Sequence, residues 1–406
     1  MTTLLRETLQ ELSPAITETI QTVFWKNLYA TKAIEQTLKL HPDWEDDTRA
    51  VFSDTIYDLI RWWRPLWYIL DKEPSPNQEE LLKLLTIYLF SKKGDLTALQ
   101  NKKGLDTPQL FQRIQSTKRS RALRESIPDW LDIQGEKELG IRWEPSLAAL
   151  NTKPELFIRV NSLKTTPKEL LSILRKEGII AEPIEGNPDA LLIKEKTNVF
   201  KLPSYTAGLF EVQDAASQMT SRILDPHPGM RVIDACAGEG SKTLHLAALL
   251  QNKGKIIAMD TQEWRLQQLR KRAAKAGVDT IETRLIISTK IYKRIKGTAD
   301  RLLLDVPCSG LGTLRRNPDI RWKLTEKDLI RLKNLQQELL ENYCTLLKPQ
   351  GTMVYSVCSI LPSEGEKQIQ QFLKNHNDFR LLDEKRYWPD INLTDGFYIA
   401  LLQRTA

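Results

Sequence analysis

Two cysteines, each placed after an apolar run, are the residues of this 406-residue chain best suited to chemistry. Cys308 lies in Asp305-Val-Pro-Cys-Ser-Gly after Arg301-Leu-Leu-Leu, and Cys358 lies in Ser356-Val-Cys-Ser after Gly351-Thr-Met-Val-Tyr. One buried cysteine is usually inert packing. Two thiols at matching strand ends, one preceded by Asp-x-Pro, point to a shared task. Methylation at carbon 5 of a pyrimidine is the chemistry that suits this arrangement. A thiolate adding to carbon 6 turns the ring into an enamine, so that carbon 5 can attack a sulfonium methyl group. A base then removes the carbon 5 proton and the thiolate leaves. A carboxylate near N3 and the exocyclic amine, here Asp305, would stabilise the adduct and select cytosine. Cys236 and Cys344 need only packing or backbone roles. The closest two cysteines are 14 apart (358 − 344), so no CxxC metal or redox pair exists, and no metal is expected.

A methyl donor needs its own site. Asp234-Ala-Cys236-Ala237-Gly238-Glu239-Gly240-Ser241-Lys242-Thr243 sits where a strand should turn into a helix. Gly238 and Gly240 let the backbone approach a ligand, and the helix start offers free N–H groups. One residue between the glycines excludes the G-x-x-x-x-G-K-[ST] phosphate loop. Asp260 follows Asp234 by 26 residues and ends the next strand, where it can accept hydrogen bonds from both ribose hydroxyls of an adenosine. A structural turn with a helix-capping Asp is the alternative.

The elements that position these groups alternate from about residue 206. Strands are expected at 231–235, 255–260, 285–287, 301–305 and 351–357, with helices at 241–250, 263–276 and 326–347. This is the pattern of a doubly wound, Rossmann-like α/β domain, assigned to 206–406. In the common methyltransferase order the fourth and fifth strands are neighbours, which brings Cys308 and Cys358 to one sheet edge. A small α/β subdomain is expected over 131–205, with strands at 156–161, 179–184 and 190–194 around a helix at 167–177. Residues 1–130 read as an all-α N-terminal domain. There Leu4, Leu5, Leu9 and Leu12, and then Phe52, Ile56, Leu59, Ile60 and Trp63, repeat at helical spacing. Trp62, Trp63, Trp67 and Tyr68 are expected in its core, with base stacking beside Arg61 and Arg64 the alternative, and Ser75 is expected to cap a helix.

Fifty-nine Lys and Arg against fifty-two Asp and Glu leave a charge of +7, which points toward a polyanionic partner. With 41% hydrophobic and 27% charged residues, the composition excludes a disordered tail and a disulfide scaffold. Lys118-Arg-Ser-Arg with Arg124 reads either as a phosphate contact or as a solvated face. No signal peptide and no uncharged stretch of the ~20 residues a membrane helix needs are visible, so a cytoplasmic protein without membrane contact is expected; a monomer is the default expectation, on which the sequence itself is silent.

The motifs Asp305-Val-Pro-Cys-Ser-Gly-Leu-Gly, Arg315-Arg-Asn-Pro-Asp-Ile-Arg-Trp322 and Val354-Tyr-Ser-Val-Cys-Ser-Ile-Leu-Pro-Ser-Glu364 resemble the RNA cytosine-5 methyltransferases of the bacterial Sun/Fmu (RsmB-like) group. Arg159-Val-Asn-Ser-Leu, Glu211-Val-Gln-Asp-Ala-Ala-Ser-Gln218 and Asp395-Gly-Phe-Tyr-Ile-Ala400 extend the likeness over roughly 128–402. The helical front resembles that group's NusB-like domain in length, helicity and position. The resemblance implies S-adenosylmethionine as cofactor, held by Cys236, Ala237, Gly238, Glu239, Gly240, Ser241, Lys242, Asp260 and Asp305. It implies Cys358 as nucleophile and Cys308 as the thiol that assists release. It also implies that Arg315, Arg316, Asn317 and Arg321 line an RNA entrance, with surface-loop charges the alternative, and that the partner is RNA, ribosomal RNA in particular. Two departures stand out. The group's Ala-Ala-Pro-Gly-Gly-Lys reads Ala237-Gly-Glu-Gly-Ser-Lys242, and the acid usual after the third strand is replaced by Ile286-Ile-Ser-Thr-Lys290, leaving Ser288 or Thr289 to accept a bond from adenine. The same motifs serve tRNA cytosine-5 methyltransferases. A non-catalytic RNA-binding assembly factor and a DNA cytosine methyltransferase are the competing classes. The intact Cys308, Cys358, Asp305 and Asp260 argue against the former, and the Val-Cys-Ser motif against the latter.

Overall fold

The computed structural model describes residues 3–93, 105–195, 197–288 and 290–405, with side chains in the first stretch from 8 to 91. Leu4, Leu5 and Thr289 lie outside the described side chains. The chain divides into two units, Met1–Thr152 with Leu314–Glu326, and Lys153–Thr313 with Lys327–Ala406.

Among the described residues the regular elements of the first unit are all helices. The predicted periodic positions are its core: Leu9, Leu12, Phe52, Ile56, Leu59, Ile60, Trp63 and Trp67 are buried together with Ile16, Ile20, Leu66 and Tyr88. Asn77, not Ser75, caps the Gln78–Lys93 helix, its Oδ1 accepting from the Glu80 N–H at 3.2 Å. Helices Asp129–Leu139 and Trp143–Leu150 also belong to this unit. So does Leu314–Glu326, a segment that leaves the second unit and is built into the first by polar bonds. Arg61 donates to the carbonyls of Leu150, Leu314 and Arg315 (3.4, 3.3 and 2.9 Å), and Trp322 Nε1 donates to the Ile60 carbonyl at 2.8 Å.

The second unit holds two sheets. The smaller orders its strands β2-β3-β1-β4, with β1 Leu156–Val160, β2 Ala181–Ile184, β3 Asn187–Ile193 and β4 Phe210–Val212. Its helix, Pro167–Lys176, starts in a capping box in which Thr166 and Glu169 satisfy each other's backbone N–H groups. Ile158, Val160, Leu170, Leu174, Leu191 and Phe210 form the core between them.

The larger sheet has seven strands: β5 Arg231–Asp234, β6 Lys255–Asp260, β7 Ile281–Leu285, β8 Ala299–Asp305, β9 Leu347–Val357, β10 Phe379–Tyr387 and β11 Phe397–Arg404. Their order is β10-β11-β9-β8-β5-β6-β7. From β7 to β9 neighbours are parallel, then β11 adds antiparallel to β9 and β10 antiparallel to β11. The chain runs outward from β5 to β7, then restarts at β8 on the other side of β5. That reversal opens a crevice at the carboxyl ends of β5 and β8, where a doubly wound sheet binds its ligand. Apolar residues cover both faces.

The third parallel strand lies four residues earlier than the sequence pattern placed it. Ile281-Glu-Thr-Arg-Leu sets three polar residues between two apolar ones, as suits an edge strand that is half-buried throughout, whereas the apolar Leu285-Ile-Ile mimics a central strand. The β10–β11 pair escaped prediction for a related reason. Seven consecutive residues of β10, Arg380–Arg386, are exposed or half-buried, with charges at most positions, the composition that protects a sheet edge.

Candidate active site

The turn after β5 is built around two left-handed glycines, Gly238 (φ +55°) and Gly240 (φ +88°). A Cβ on Gly240 would lie 2.0 Å from Leu269 Cδ1, so the helix behind the turn requires glycine there, while a Cβ on Gly238 would meet nothing within 4 Å. The backbone of the turn is pinned to β6. Gly238 N–H donates to Asp260 Oδ2 at 2.9 Å, Gln262 N–H donates to Asp260 Oδ1 at 2.8 Å, and Ala237 N–H donates to the Met259 carbonyl at 2.9 Å. Each Asp260 oxygen thus keeps a further lone pair for a ligand hydroxyl.

Two residues from the smaller sheet's strands hold the helix that follows. Arg159 of β1, fully buried and held down to about 10 by that burial, donates to the Ser241 carbonyl at 2.5 Å. Arg272 donates to the Glu239 carbonyl (2.9 Å) and Ser241 Oγ (3.0 Å), and pairs with Glu211 of β4 at 2.7 Å. The side chain of Glu239, the acid that departs from the expected motif, is exposed and has no ion-pair partner among the described residues.

At the end of β8, Asp305 is bridged on both oxygens. Lys242 Nζ donates to Oδ2 at 2.6 Å and Ser356 Oγ donates to Oδ1 at 2.8 Å. Lys242 Nζ also lies 5.2 Å from the centre of the Phe397 ring. Asp234, at the end of β5, is buried. Thr243 Oγ1 donates to its Oδ2 at 2.7 Å, and Oδ1 has no hydrogen-bond partner among the described residues. Burial, with Asp305 nearby, pushes its carboxyl up to about 7. The Cys236 thiol is pushed well above its ordinary range by burial and by the charges of Asp234, Asp305 and Asp260, which fits a backbone rather than a nucleophilic role.

The two thiols meet. β8 and β9 run parallel with Asp305 opposite Ser356, so the loops leaving them emerge side by side, and Cys308 Sγ lies 3.3 Å from Cys358 Sγ. Cys358 and burial together raise the Cys308 thiol well above its ordinary range.

The sequence pattern did not reveal what holds this pair. Glu364, completely buried, is the anchor for both cysteine loops. Its Oε1 accepts from Ser309 N–H (2.8 Å) and Gln336 Nε2 (3.0 Å), and its Oε2 accepts from the Ser309 hydroxyl and from Ser359 Oγ (2.5 Å). Ser309 follows Cys308 and Ser359 follows Cys358, so one carboxylate fixes both neighbours. A second tie runs through backbone: Gly312 N–H donates to the Cys358 carbonyl at 3.0 Å. A Cβ on Gly312 would lie 1.9 Å from the Gly396 carbonyl oxygen, so only glycine permits that crossing.

The arginines expected at an RNA entrance are placed differently. Arg321 is completely buried in the helical unit, where Nη1 donates to the carbonyls of Glu125 (3.2 Å) and Ser126 (3.1 Å) and to Asn151 Oδ1 (2.9 Å). Burial and the nearby Arg61 lower it to about 9. Arg315 is also buried, its Nε on the Ala149 carbonyl at 2.8 Å. Arg315 and Arg321 therefore secure Leu314–Glu326 within its unit rather than line an entrance, while Arg316 and Asn317 are half-exposed. In the basic run, Arg121 pairs with Asp132 and Glu136, and Arg124 with Glu125 and Glu144, so those charges are matched locally.

Comparison with known proteins bears on the fold and the family. The family described as 16S rRNA methyltransferase RsmB/F matches residues 221–403, and the ferredoxin-like domain of RsmF/B-like methyltransferases matches 127–200. The probable ribosomal RNA small subunit methyltransferase B of Synechocystis is 32% identical, across 93% of this chain and 96% of its own length. The chain belongs to the RsmB/F methyltransferase family. Among solved structures, that of PH0851 superposes with a TM-score of 0.81 at 27% identity, over 97% of this chain and 98% of its own. A methyltransferase homolog from Pyrococcus horikoshii superposes with a TM-score of 0.64 at 30% identity, over 71% and 99%.

As a member of this RsmB/F family the protein is an S-adenosylmethionine-dependent RNA methyltransferase. The residues present fit that cofactor: a glycine turn open at Gly238, a strand-end carboxylate at Asp260 with lone pairs to spare, and a Lys242–Asp305 pair at the switch point. Among the described residues no helix is long and apolar enough to cross a membrane.

Proposed function

We propose that this protein methylates carbon 5 of a cytosine in 16S ribosomal RNA through a covalent cysteine adduct. The observation that carries the proposal is the 3.3 Å approach of Cys308 Sγ to Cys358 Sγ beside the Asp305 end of β8. Cys358 is the nucleophile. Its sulfur, as the thiolate left once the thiol proton has passed to solvent, bonds to carbon 6 of the ring, and the electrons of the 5,6 double bond move to carbon 5, which takes the methyl group. Cys308, the thiol whose surroundings retain its proton, donates a hydrogen bond to the Cys358 sulfur and later assists release. Loss of the carbon 5 proton to a base restores the double bond as the carbon 6–sulfur bond breaks, with the electron pair returning to Cys358. Asp305, oriented by Lys242 and Ser356, interacts with N3 and the exocyclic amine of cytosine. S-adenosylmethionine supplies an electrophilic methyl on sulfur; Asp260 holds its ribose, and the 236–242 turn and Asp305 hold the remainder. Arg316 and Asn317 contact the RNA.

The partner assignment rests on the family and on the name of the Synechocystis relative. Bisulfite sequencing of total RNA, with and without the gene, tests it. One 16S cytosine should lose protection when the gene is absent; a change confined to tRNA would reassign the substrate, and no change at all would remove the activity.

A further inference from the structure

The edge of the large sheet carries a surface that the active site does not use. The chain leaving β7 places Lys290, Lys293, Arg294 and Lys296 within seven residues, 290–296, and all four are exposed. None of their side chains has an ion-pair or hydrogen-bond partner among the described residues. Arg121, Arg124, Arg222 and Arg272, by contrast, are each matched by a carboxylate. Beside the unmatched strip lies an open cavity of about 510 Å³ lined by Arg284, Leu285, Ile291, Arg294 and Ile295. Its lining combines three aliphatic side chains with two guanidinium groups.

That combination fits a nucleotide. An aliphatic surface accepts the face of a base, and flanking cations accept phosphates without regard to sequence. In the sheet order, β7 is four strands from β9, whose end bears Cys358. At about 4.8 Å per strand the separation is ~19 Å, too far for the reacting base. We propose that this groove is a second RNA-docking surface, which holds a single-stranded stretch flanking the target through its phosphates and one base. Lys290, Lys293, Arg294 and Lys296 hold the phosphates, and Leu285, Ile291 and Ile295 support the base. The inference rests on RNA being the substrate.

The test is the double variant Lys293→Glu/Arg294→Glu in the full-length protein, with a 16S rRNA transcript as probe over a salt series. The dissociation constant should rise about 10–100-fold at ~100 mM salt, and the slope of log affinity against log salt should shrink by about 1–2. S-adenosylmethionine affinity and kcat at saturating RNA should stay at wild-type values, with the loss appearing in KM. The neutral pair Lys293→Ala/Arg294→Ala should keep cofactor binding and show a smaller loss of the same kind. Wild-type RNA affinity and salt slope in the reversed variant would overturn the proposal. Unchanged RNA binding alongside lost capture of polyglutamate would give the surface to an acidic protein instead. A wild-type protein that binds no 16S transcript would instead overturn the substrate reading, and the surface with it.

Discussion

Replacing Glu364 tests whether one buried carboxylate sets the geometry of both thiols. Four donors converge on it: Ser309 N–H, the Ser309 hydroxyl, Ser359 Oγ and Gln336 Nε2. The hydroxyls can turn toward each other, being 3.3 Å apart, and Gln336 Nε2 also donates to the Pro307 carbonyl at 3.0 Å. Only one hydroxyl can donate to the other, so in Glu364→Ala the Ser309 N–H, one hydrogen of Gln336 and the second hydroxyl lose their acceptor inside the core. At roughly 1–3 kcal/mol for each buried unsatisfied donor, the expected destabilisation is about 3–9 kcal/mol. Glu364→Gln keeps one acceptor oxygen and loses charge assistance, for about 1–2 kcal/mol. Urea unfolding measures both. Because the lost bonds sit one residue from each cysteine, methyl transfer to RNA should suffer beyond the loss of stability. We expect kcat to fall about 10-fold in the Gln variant and about 100-fold in the Ala variant, the scale expected for ångström-level misplacement. Cofactor affinity should be unchanged in both. Variants that are destabilised as stated yet retain wild-type kcat would refute the positioning role.

Asp234 predicts a pH dependence. Its carboxyl titrates near 3.8 when unfolded and near 7 when folded, so the folded state favours the neutral form. The cost of ionising it in the fold begins near pH 4, grows as pH rises, and levels off above about 7. Between pH 5 and 8 this group should remove roughly 2–3 kcal/mol of stability, and Asp234→Asn should be free of that decline. Equal pH slopes for the two proteins in denaturant titrations would contradict this. For Arg321, the structure predicts a role in stability. Arg321→Met should lose roughly 2–4 kcal/mol by freeing the carbonyls of Glu125 and Ser126, while the salt dependence of RNA binding in the variant that remains folded stays at the wild-type value. A reduced salt slope would return Arg321 to the RNA interface.

The parts of this molecule legible in the sequence are those where residue type is dictated locally. Gly238 and Gly240 mark a left-handed turn, Asp260 and Asp305 end apolar strands, and the spacing of β8 and β9 in a doubly wound sheet brings Cys308 near Cys358. The core of the helical unit followed from periodicity for the same reason. Long-range satisfaction of polar groups was not legible. Nothing in Arg315-Arg-Asn-Pro-Asp-Ile-Arg-Trp322 announces that Leu314–Glu326 is built into the helical unit, so its guanidinium groups looked like ligands for phosphate when Arg315 and Arg321 are bonded to carbonyls. Glu364 is likewise silent as a letter in a motif, because its donors come from positions 309, 336 and 359. A signal did exist: an acid closely following the apolar run Ile360-Leu-Pro362 needs partners once buried.

The most direct measurement is denaturing electrophoresis of Cys308→Ala after incubation with 16S rRNA transcript and S-adenosylmethionine. The account predicts a protein–RNA band that survives denaturation, absent from both the wild type and the Cys308→Ala/Cys358→Ala double variant. If the double variant forms the same band, or the single variant turns over normally with none, the two sulfurs do not share one pyrimidine.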